Sequence, residues 1–401
     1  MLRNEPDSSP IQDARWLIVG NPACRRVARF QKSLAEQGKK PARLLGYPEL
    51  LDGHGLSPDG LRTGDLVRLE SAAEKWSTRR ALLGYGYELA QQEGYAAIAP
   101  AQLPDELAAD VPEIKPRQLY LGFRRLLGEL ESMLTDAGAI SIQSPADVAC
   151  MFDKWDCQTR LQRSGVAIPE LLAQPRSYDE LRSICGESGR YLLKMAHGSG
   201  GVGCVAIHVS RGRIRAFVSS QTMRMAAAEH AEIKIPVQKI DDELILAKVV
   251  DSLCRESAHL ERWLPKDRFQ GRPYDLRVVV IAGKPRHAIA RLGSSPFTNL
   301  NLGGQRRSME QMASRITPDC WEKIERIAAQ VADCFPETLC FGLDLLRTPG
   351  GELAVIEVNA FGDFLLNVFQ DGLDPYAAEI VAAEDWANRH LARLAQPAEL
   401  A

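Results

Sequence analysis

The stretch FGLDLLRTPGGELAVIEVNA, residues 341–360, contains two apolar runs, and one acidic side chain interrupts each of them: Asp344 in the first and Glu357 in the second. The two runs predict successive strands. Glu357 and Asn359 are two residues apart, so their side chains leave the same face of a strand. A buried carboxylate is costly unless it is paired or bound to a metal. Since Mg²⁺ prefers oxygen ligands and often bridges carboxylates to phosphates, these three residues predict a phosphate-bound metal site.

Two other interpretations of the same residues stay open. The carboxylates could lie on a solvated hairpin face, or they could form salt bridges with arginines. The sequence DLRVVVIAGKPRHAIAR, residues 275–291, supplies such arginines. Asp275 and Arg277 share a strand face, and Arg291 ends the next strand of an apparent hairpin. Arginine fits phosphoryl or carboxylate oxygens through bidentate contacts, although exposed strand arginines are also common in purely structural roles.

A glycine-rich connection lies further upstream, in YLLKMAHGSGGVGCVAI, residues 191–207. Lys194 ends one predicted strand, and four glycines follow before the next strand. Glycines let backbone N–H groups approach phosphate oxygens closely, while a lysine supplies a point charge. A flexible hairpin with a surface lysine is an equally good interpretation. The spacing differs from a Walker A loop, which requires G-x-x-x-x-G-K-[ST].

The first part of the chain has the pattern of a small α/β unit. WLIVG at residues 16–20 predicts a buried strand, residues 24–37 have helical spacing, and ARLLGY at 42–47 predicts a second strand. This order favours a parallel sheet. The spacing over 120–137 predicts a long amphipathic helix, and we interpret Arg117, Arg124 and Arg125 as part of its solvated face.

Two further units are expected after a boundary near Gln143. A helix over about residues 146–164 opens the second unit, and VAIPELL at 166–172 resembles a strand. Residues 213–250 give mixed signals. We therefore predict an α/β chain with units at residues 1–143, 144–259 and 260–401.

Composition excludes several classes of protein. The 401 residues carry 49 basic and 52 acidic side chains, so nothing indicates a nucleic-acid partner. The nine cysteines are scattered without zinc spacing and are expected to be reduced thiols. No signal-peptide core and no long apolar span are evident, which predicts a cytoplasmic protein without a membrane contact. Motifs of common serine hydrolases, zinc peptidases and protein kinases are absent.

Taken in this order, the motifs resemble the ATP-grasp superfamily, particularly its RimK-type glutamate ligases and glutathione synthetases. The resemblance covers about residues 145–370 and implies a pre-ATP-grasp α/β domain followed by a two-lobed ATP-grasp fold. It implies that Lys154, Lys194 and the glycines Gly200 and Gly201 contact the nucleotide phosphates, and that the segment 260–266 is the adenine hinge. The remaining implied site residues are the nucleotide contacts Glu261, Trp263, Leu264 and Asp275, the catalytic Arg277 and Arg291 alongside Lys194, the loop residue Asn299, and the metal ligands Asp344, Glu357 and Asn359.

The resemblance also implies a reaction. A small-molecule or peptide carboxylate would attack the γ-phosphate of ATP, with Mg²⁺ or alternatively Mn²⁺ as the metal, and an amine or thiol would then displace phosphate from the acyl phosphate. Two alternatives stay open: a kinase that phosphorylates a hydroxyl, and a regulatory protein that binds ATP without turnover. The distance from Gly203 to Glu261 suggests an insertion. Neither the substrate pair nor a homo-oligomeric state can be derived from the sequence.

Overall fold

The computed structural model describes residues 14–51, 60–72, 75–106, 115–198, 200–227, 237–361 and 365–395. Within these ranges the strands form one four-stranded sheet and two six-stranded sheets, with helices packed against them. The predicted α/β class is therefore confirmed. The two boundaries between the three units stay predictions, and the one placed between residues 259 and 260 would fall inside a strand.

The first sheet is parallel throughout, as the strand–helix–strand pattern predicts. Its strand order is β2-β1-β3-β4. The predicted long helix begins four residues earlier than expected, at a proline suited to a first helical turn, and it ends before the left-handed Gly138. The elements are β1 Trp16–Gly20, α1 Arg25–Glu36, β2 Arg43–Gly46, α2 Tyr47–Leu51, β3 Leu66–Leu69, α3 Trp76–Tyr85, α4 Tyr87–Gln92, α5 Pro116–Ala137 and β4 Ile140–Ser141.

The second sheet is antiparallel and contains the two strands that flank the glycine-rich connection. Its order is β5-β10-β6-β7-β8-β9. Four elements, β8 to α10, occupy the part of 213–250 that the structure describes; residues 228–236 lie outside it. The elements are α6 Pro145–Phe152, α7 Lys154–Arg163, β5 Leu171–Ala173, α8 Tyr178–Ile184, β6 Ser188–Met195, β7 Cys204–Ser210, β8 Arg213–Ser219, α9 Ser220–Ala227, β9 Val237–Ile240, α10 Glu243–Cys254 and β10 Ala258–Arg262.

The single helix predicted over 146–164 is wrong, because two helices, α6 and α7, meet at Asp153. This residue has an extended backbone, and its carboxylate accepts hydrogen bonds from the backbone N–H groups of Trp155 and Asp156. Such capping satisfies donors at the start of a helix. The strand predicted over 166–172 is also shorter than expected, since β5 covers Leu171–Ala173.

The third sheet is built from long antiparallel strands in the order β14-β13-β12-β15-β16, with β11 paired to β12. The hairpin predicted over 275–291 is confirmed as β12 and β13. Asp344 lies opposite Arg277 on one neighbouring strand and opposite Glu357 on the other. The elements are β11 Arg268–Phe269, β12 Arg272–Ile281, β13 Lys284–Leu292, β14 Gln305–Arg307, α11 Pro318–Cys334, β15 Cys340–Arg347, β16 Leu353–Asn359 and α12 Pro375–Ala395.

A buried ion pair links the first sheet to the last helix, α12. Arg68 on β3 donates from Nε to Oε1 of Glu379 on α12 over 2.7 Å, and both side chains are almost fully buried. The aromatic rings of Phe30 and Tyr376 lie over the same guanidinium. The C-terminal helix is thereby fixed against the first sheet. No helix in the described ranges is long and apolar enough to cross a membrane.

Helix α5 is held against α3 and α4 by direct contact between main chains. A Cβ atom added at Gly86 would overlap the carbonyl of Gln118, and one added at Gly122 would overlap the carbonyl of Leu82. The absence of side chains at these two glycines therefore sets the distance between the helices. This contact matters for the site, because α5 contributes part of the cavity described below.

We expect Gly122→Ala to lower the free energy of unfolding by about 3 kcal/mol, because the new methyl group must push apart two packed helices. Gly128→Ala in the same helix is the control: a Cβ there meets nothing within 4 Å. That substitution should be neutral or stabilise by up to about 1 kcal/mol. Urea unfolding followed by circular dichroism measures both changes, and equal effects would contradict the packing argument.

Candidate active site

The glycine-rich connection between β6 and β7 packs against a loop of the third sheet. Gly200 and Gly201 have φ values of 60° and 85°, in the left-handed region that favours glycine. The side-chain amide of Asn301 donates to the Gly200 carbonyl over 3.0 Å. A Cβ at Gly201 would lie 2.9 Å from Leu302 and 3.3 Å from Asn299. The described part of this connection therefore closes over the space between the two six-stranded sheets.

Lys154 lies at the first turn of α7 and reaches across to the third sheet. Its Nζ donates to the Gly198 carbonyl and lies 3.4 Å from Oε1 of Glu357. Its backbone N–H donates to the Ala196 carbonyl over 3.1 Å. The lysine thus lies between the glycine-rich connection and the predicted metal ligands, and its contact with phosphate stays a prediction.

Lys194 at the end of β6 forms a buried pair with Glu261 on β10. The Nζ–Oε1 distance is 2.7 Å, and Lys194 also donates to the Ile356 carbonyl over 3.3 Å. Burial opposes both charges, but their mutual attraction outweighs it, so the pKa of Lys194 is raised and the pKa of Glu261 is lowered. Both groups are therefore charged at neutral pH. Glu261 orients the lysine, a relation that the spacing of the two residues did not reveal.

The predicted arginines and acidic residues form one buried network. Arg291 donates from Nε to Oδ1 of Asp275 over 2.8 Å, and its Nη2 lies 3.0 Å from Oδ2 of Asp344. Arg277 Nη1 lies 3.0 Å from Oδ1 of Asp344. Burial works against the charge on Asp275, yet Arg291 and Lys266 lower the pKa of this carboxyl. The salt bridges that the sequence left open as an alternative are present.

Lys266 and Thr298 belong to this network, although neither was predicted to be a site residue. Lys266 Nζ lies 2.9 Å from Oδ2 of Asp275 and donates to the Thr298 hydroxyl over 2.6 Å. The Thr298 hydroxyl donates to the same carboxylate oxygen. Lys266 ends the predicted hinge segment, and its positive charge after an apolar and aromatic stretch is a signal that could have identified it.

The predicted metal ligands converge, and their atoms suit a hard cation. Asp344 and Glu357 are paired across neighbouring strands, and Asn359 follows on the same strand face. Asp344 Oδ1 is paired with Arg277 Nη1 at 3.0 Å, whereas Asn359 Nδ2 is buried without a hydrogen-bond partner in the described structure. No group of three or more His, Cys, Asp or Glu side chains in the described ranges could hold a metal by itself. Two carboxylates and an amide fit Mg²⁺ that is also bound to phosphate.

The two carboxylates differ in their proton affinity. Burial raises the pKa of the Asp344 carboxyl, and Arg277 and Arg291 offset part of this rise. Burial also opposes the charge on Glu357, but Lys154 and Arg277 outweigh it and lower the pKa. The Glu357 side chain keeps about a third of its surface accessible, at 32%. It is therefore the carboxylate that is both charged and reachable.

The site residues line two cavities that share Lys154, Gly198 and Glu357. We call the smaller one, of about 90 Å³, the inner cavity, and the larger one, of about 370 Å³, the outer cavity. Arg277 and Asn359 line the outer cavity. The predicted residues that line the inner cavity are Lys154, Lys194, Gly200, Gly201, Glu261, Trp263, Leu264, Asp275, Arg291, Asn299, Asp344 and Glu357.

His197, just before the glycines, is a buried packing residue beside the site. Its ring stacks on Tyr120 at 4.0 Å between centroids. Arg117 Nη1 lies 3.0 Å from His197 Nε2, and since arginine can only donate, Nε2 must accept. The other nitrogen, Nδ1, therefore carries the proton and donates to the Phe152 carbonyl over 3.3 Å. Burial and the Arg117 charge lower the pKa of His197 to about 3, although Asp153 opposes this shift.

The interpretation of Arg117 as part of a solvated face is wrong. Its side chain is 13% exposed and pairs with Glu93 at 2.6 Å and with Asp153 at 3.3 Å. Arg124 and Arg125, at 43% and 48% exposure, are on the solvated face as expected. The sequence does not distinguish Arg117 from Arg124 and Arg125. Arg117 is covered because Glu93 and Asp153, which are distant in the chain, pair with it.

A neutral buried His197 makes stability depend on pH. Above pH 6.5 the imidazole is neutral in both states, whereas below it the unfolded chain takes up a proton that the folded protein excludes down to about pH 3. Between pH 6.5 and 5 the wild type should therefore lose about 2 kcal/mol through this residue. His197→Phe, which keeps a ring against Tyr120, and His197→Asn should both lack this part of the loss. Urea unfolding at both pH values measures it, and identical losses in wild type and variants would contradict the assignment.

Comparison with known proteins supports the fold independently. A family model described as YheC/D like ATP-grasp matches residues 147–362. No curated protein sequence matches the chain. The structure is similar to that of the ATP-grasp ligase PsnB in complex with a minimal precursor, with a TM-score of 0.52 and 16% identity over 92% of this chain and 99% of that one.

Two further solved structures have the same fold. One is the ADP complex of PurK, an N5-carboxyaminoimidazole ribonucleotide synthetase, with a TM-score of 0.54 and 13% identity over 94% of this chain and 78% of that one. The other is D-alanine–D-alanine ligase from Bacillus anthracis in complex with ATP, with a TM-score of 0.51 and 10% identity over 95% of this chain and 100% of that one. At these identities the similarity concerns the fold alone.

Proposed function

Because the chain belongs to the YheC/D-like ATP-grasp family, we propose that it is an ATP-dependent ligase that activates a carboxylate and joins it to an amine or thiol. The observation that carries the proposal is the convergence of two lysines, two arginines and two carboxylates where the inner and outer cavities meet. The narrower resemblance to glutathione synthetases and RimK-type ligases stays a prediction.

The inner cavity is the proposed nucleotide site. Lys154 and Lys194 place two positive charges beside the glycine-rich connection, where phosphate groups would lie. The hinge segment lines the same cavity through Trp263 and Leu264. The Trp263 backbone N–H already donates to the Arg190 carbonyl over 3.1 Å, so we assign adenine recognition to the main chain of Leu264.

The proposed metal ligands are Asp344, Glu357 and Asn359. Mg²⁺ bound there would neutralise negative charge on the phosphate oxygens, and Mn²⁺ has compatible ligand preferences. Lys154 pairs with Glu357 and keeps this carboxylate ionised before any cation binds. Arg277 and Arg291 contact Asp344, where they offset part of the rise in its pKa that burial causes.

The proposed chemistry needs no covalent bond to the protein. An oxygen of the substrate carboxylate attacks the γ-phosphorus of ATP, the bond from this phosphorus to the bridging oxygen breaks, and ADP leaves. An amine or thiol then attacks the acyl carbon and displaces phosphate. The protein would contribute position and charge: Arg291 and Lys194 would stabilise the transferring phosphoryl group, and Arg277 would orient the carboxylate.

A direct test uses purified protein with Mg-ATP, pools of carboxylates and amines, and hydroxylamine as a trap. The ligase should release ADP and form a hydroxamate, both detected by mass spectrometry. A stable phosphoester would instead establish the kinase alternative. ATP binding without ADP release in any pool would contradict the ligase and favour a regulatory protein.

Glu357→Gln should lower turnover at least 100-fold, because the reachable metal ligand loses its charge. The matched control is Glu352→Gln, an exposed carboxylate one residue before the same strand. That variant should retain wild-type turnover. Thermal unfolding establishes that both variants fold, and calorimetry with ATP at several Mg²⁺ concentrations measures metal-dependent binding. Undiminished turnover or unchanged Mg²⁺ dependence in Glu357→Gln would refute the ligand assignment.

A further inference from the structure

The outer cavity has the size and the partly enclosed shape of a small-molecule site. At about 370 Å³ it is within the usual range of 300–1,000 Å³. Its lining comes from α3 and α5 on one side and from α6 and the end of β16 on the other. Lys154 and Glu357 line both cavities, so a molecule bound in the outer cavity is next to the proposed nucleotide site.

One wall of the outer cavity is aromatic and aliphatic. Phe152 lies at its centre and contacts Phe123 and Phe361 edge to face, with ring centroids 5.2 Å and 5.5 Å apart. Leu119 and Met151 extend the same wall. Side chains in this arrangement favour an apolar body and offer no hydrogen bond to a polar one.

The lining of the outer cavity also includes the guanidinium of Arg277. Arg277 is 11% exposed, and its Nε is buried without a hydrogen-bond partner in the described residues. A planar guanidinium matches a carboxylate, and the exposed part of this side chain lines the cavity. Arg26, another cation of the lining, lies 3.8 Å from the buried Glu70, which compensates its charge.

We propose that the outer cavity selects, as the acid to be activated, a small carboxylic acid with an apolar or aromatic body. The carboxylate lies at Arg277 and the body lies on the Phe123–Phe152–Phe361 wall. Activation of the bound acid rests on the proposed ligase function, but binding of the acid can be measured without turnover. An acid with a charge on its body, such as the side-chain carboxylate of glutamate, would place that charge against the apolar wall without a partner.

The test is calorimetric binding of an acid panel to the full chain, with and without Mg²⁺ and a non-hydrolysable ATP analogue. The panel contains phenylalanine, leucine and 3-phenylpropionate, with serine and glutamate as polar members. We expect the apolar acids to bind at least tenfold more tightly than the polar ones. Equal or tighter binding of the polar acids, or no binding by any member, overturns the proposal.

Variants locate the binding on the aromatic wall. Phe152→Ala should weaken binding of 3-phenylpropionate at least tenfold while binding of the ATP analogue changes less than twofold. Leu119→Asn changes a half-buried position, which tolerates substitution more readily. In this variant the affinity for apolar acids should exceed that for polar acids by less than in wild type. Phe369→Ala, an exposed phenylalanine outside both cavities, is the matched control and should bind like wild type. Wild-type affinities in both wall variants would also overturn the proposal.

Failure of this inference and failure of the ligase proposal have different signatures. Apolar acids that bind in a Phe152-dependent manner without any ADP release would leave the cavity assignment intact and remove the ligase chemistry. ADP and hydroxamate formed from polar acids alone would retain the ligase and remove the assigned selectivity. The two readouts are therefore independent.

Discussion

A carboxylate buried between two guanidinium groups constrains the geometry of the whole site. Asp344 is 4% exposed and lies 3.0 Å from nitrogens of both Arg277 and Arg291. Removing one partner from such a buried group typically costs about 3–5 kcal/mol, because the remaining charge is left unpaired. The charges meet because Asp344 lies opposite Arg277 on one neighbouring strand and opposite Glu357 on the other. A slip of the strand register by one residue would turn these side chains to the other face of the sheet. The charge network therefore forms only in this register, and its formation in turn favours this register.

The site also depends on a backbone that can approach other elements closely. The glycine-rich connection starts in the second sheet and packs against the loop 299–302 of the third, where Asn301 holds the Gly200 carbonyl. A Cβ at Gly201 would lie 2.9 Å from the end of the Leu302 side chain, which would have to shift. Glycine is thus favoured at this position, mainly because of its left-handed backbone. This contact, together with the Lys154–Glu357 pair, joins the two sheets around the inner cavity.

The polar side chains that share a strand face could be predicted from the sequence, whereas contacts between distant segments could not. Alternation with a period of two placed Glu357 and Asn359 on one face, and the β12–β13 hairpin followed from its turn. The break at Asp153 was missed because apolar spacing continues through it, while capping depends on a local backbone change. Thr298 and Arg117 were missed or misassigned because their partners Asp275 and Glu93 are 23 and 24 residues away.

The residues of the inner cavity are easier to predict from a sequence than those of the outer cavity. A charge inside an apolar strand is costly and therefore conspicuous, so residues such as Asp344 and Arg291 can be recognised from the amino-acid pattern alone. The wall formed by Phe123, Phe152 and Phe361 consists of side chains that any buried helix or strand would contain. Whether such a residue faces the core or a cavity depends on the distance between layers. In this protein part of this distance is set by main-chain contacts, such as the one between Gly122 of α5 and helix α3. Helical periodicity in the sequence does not reveal such contacts.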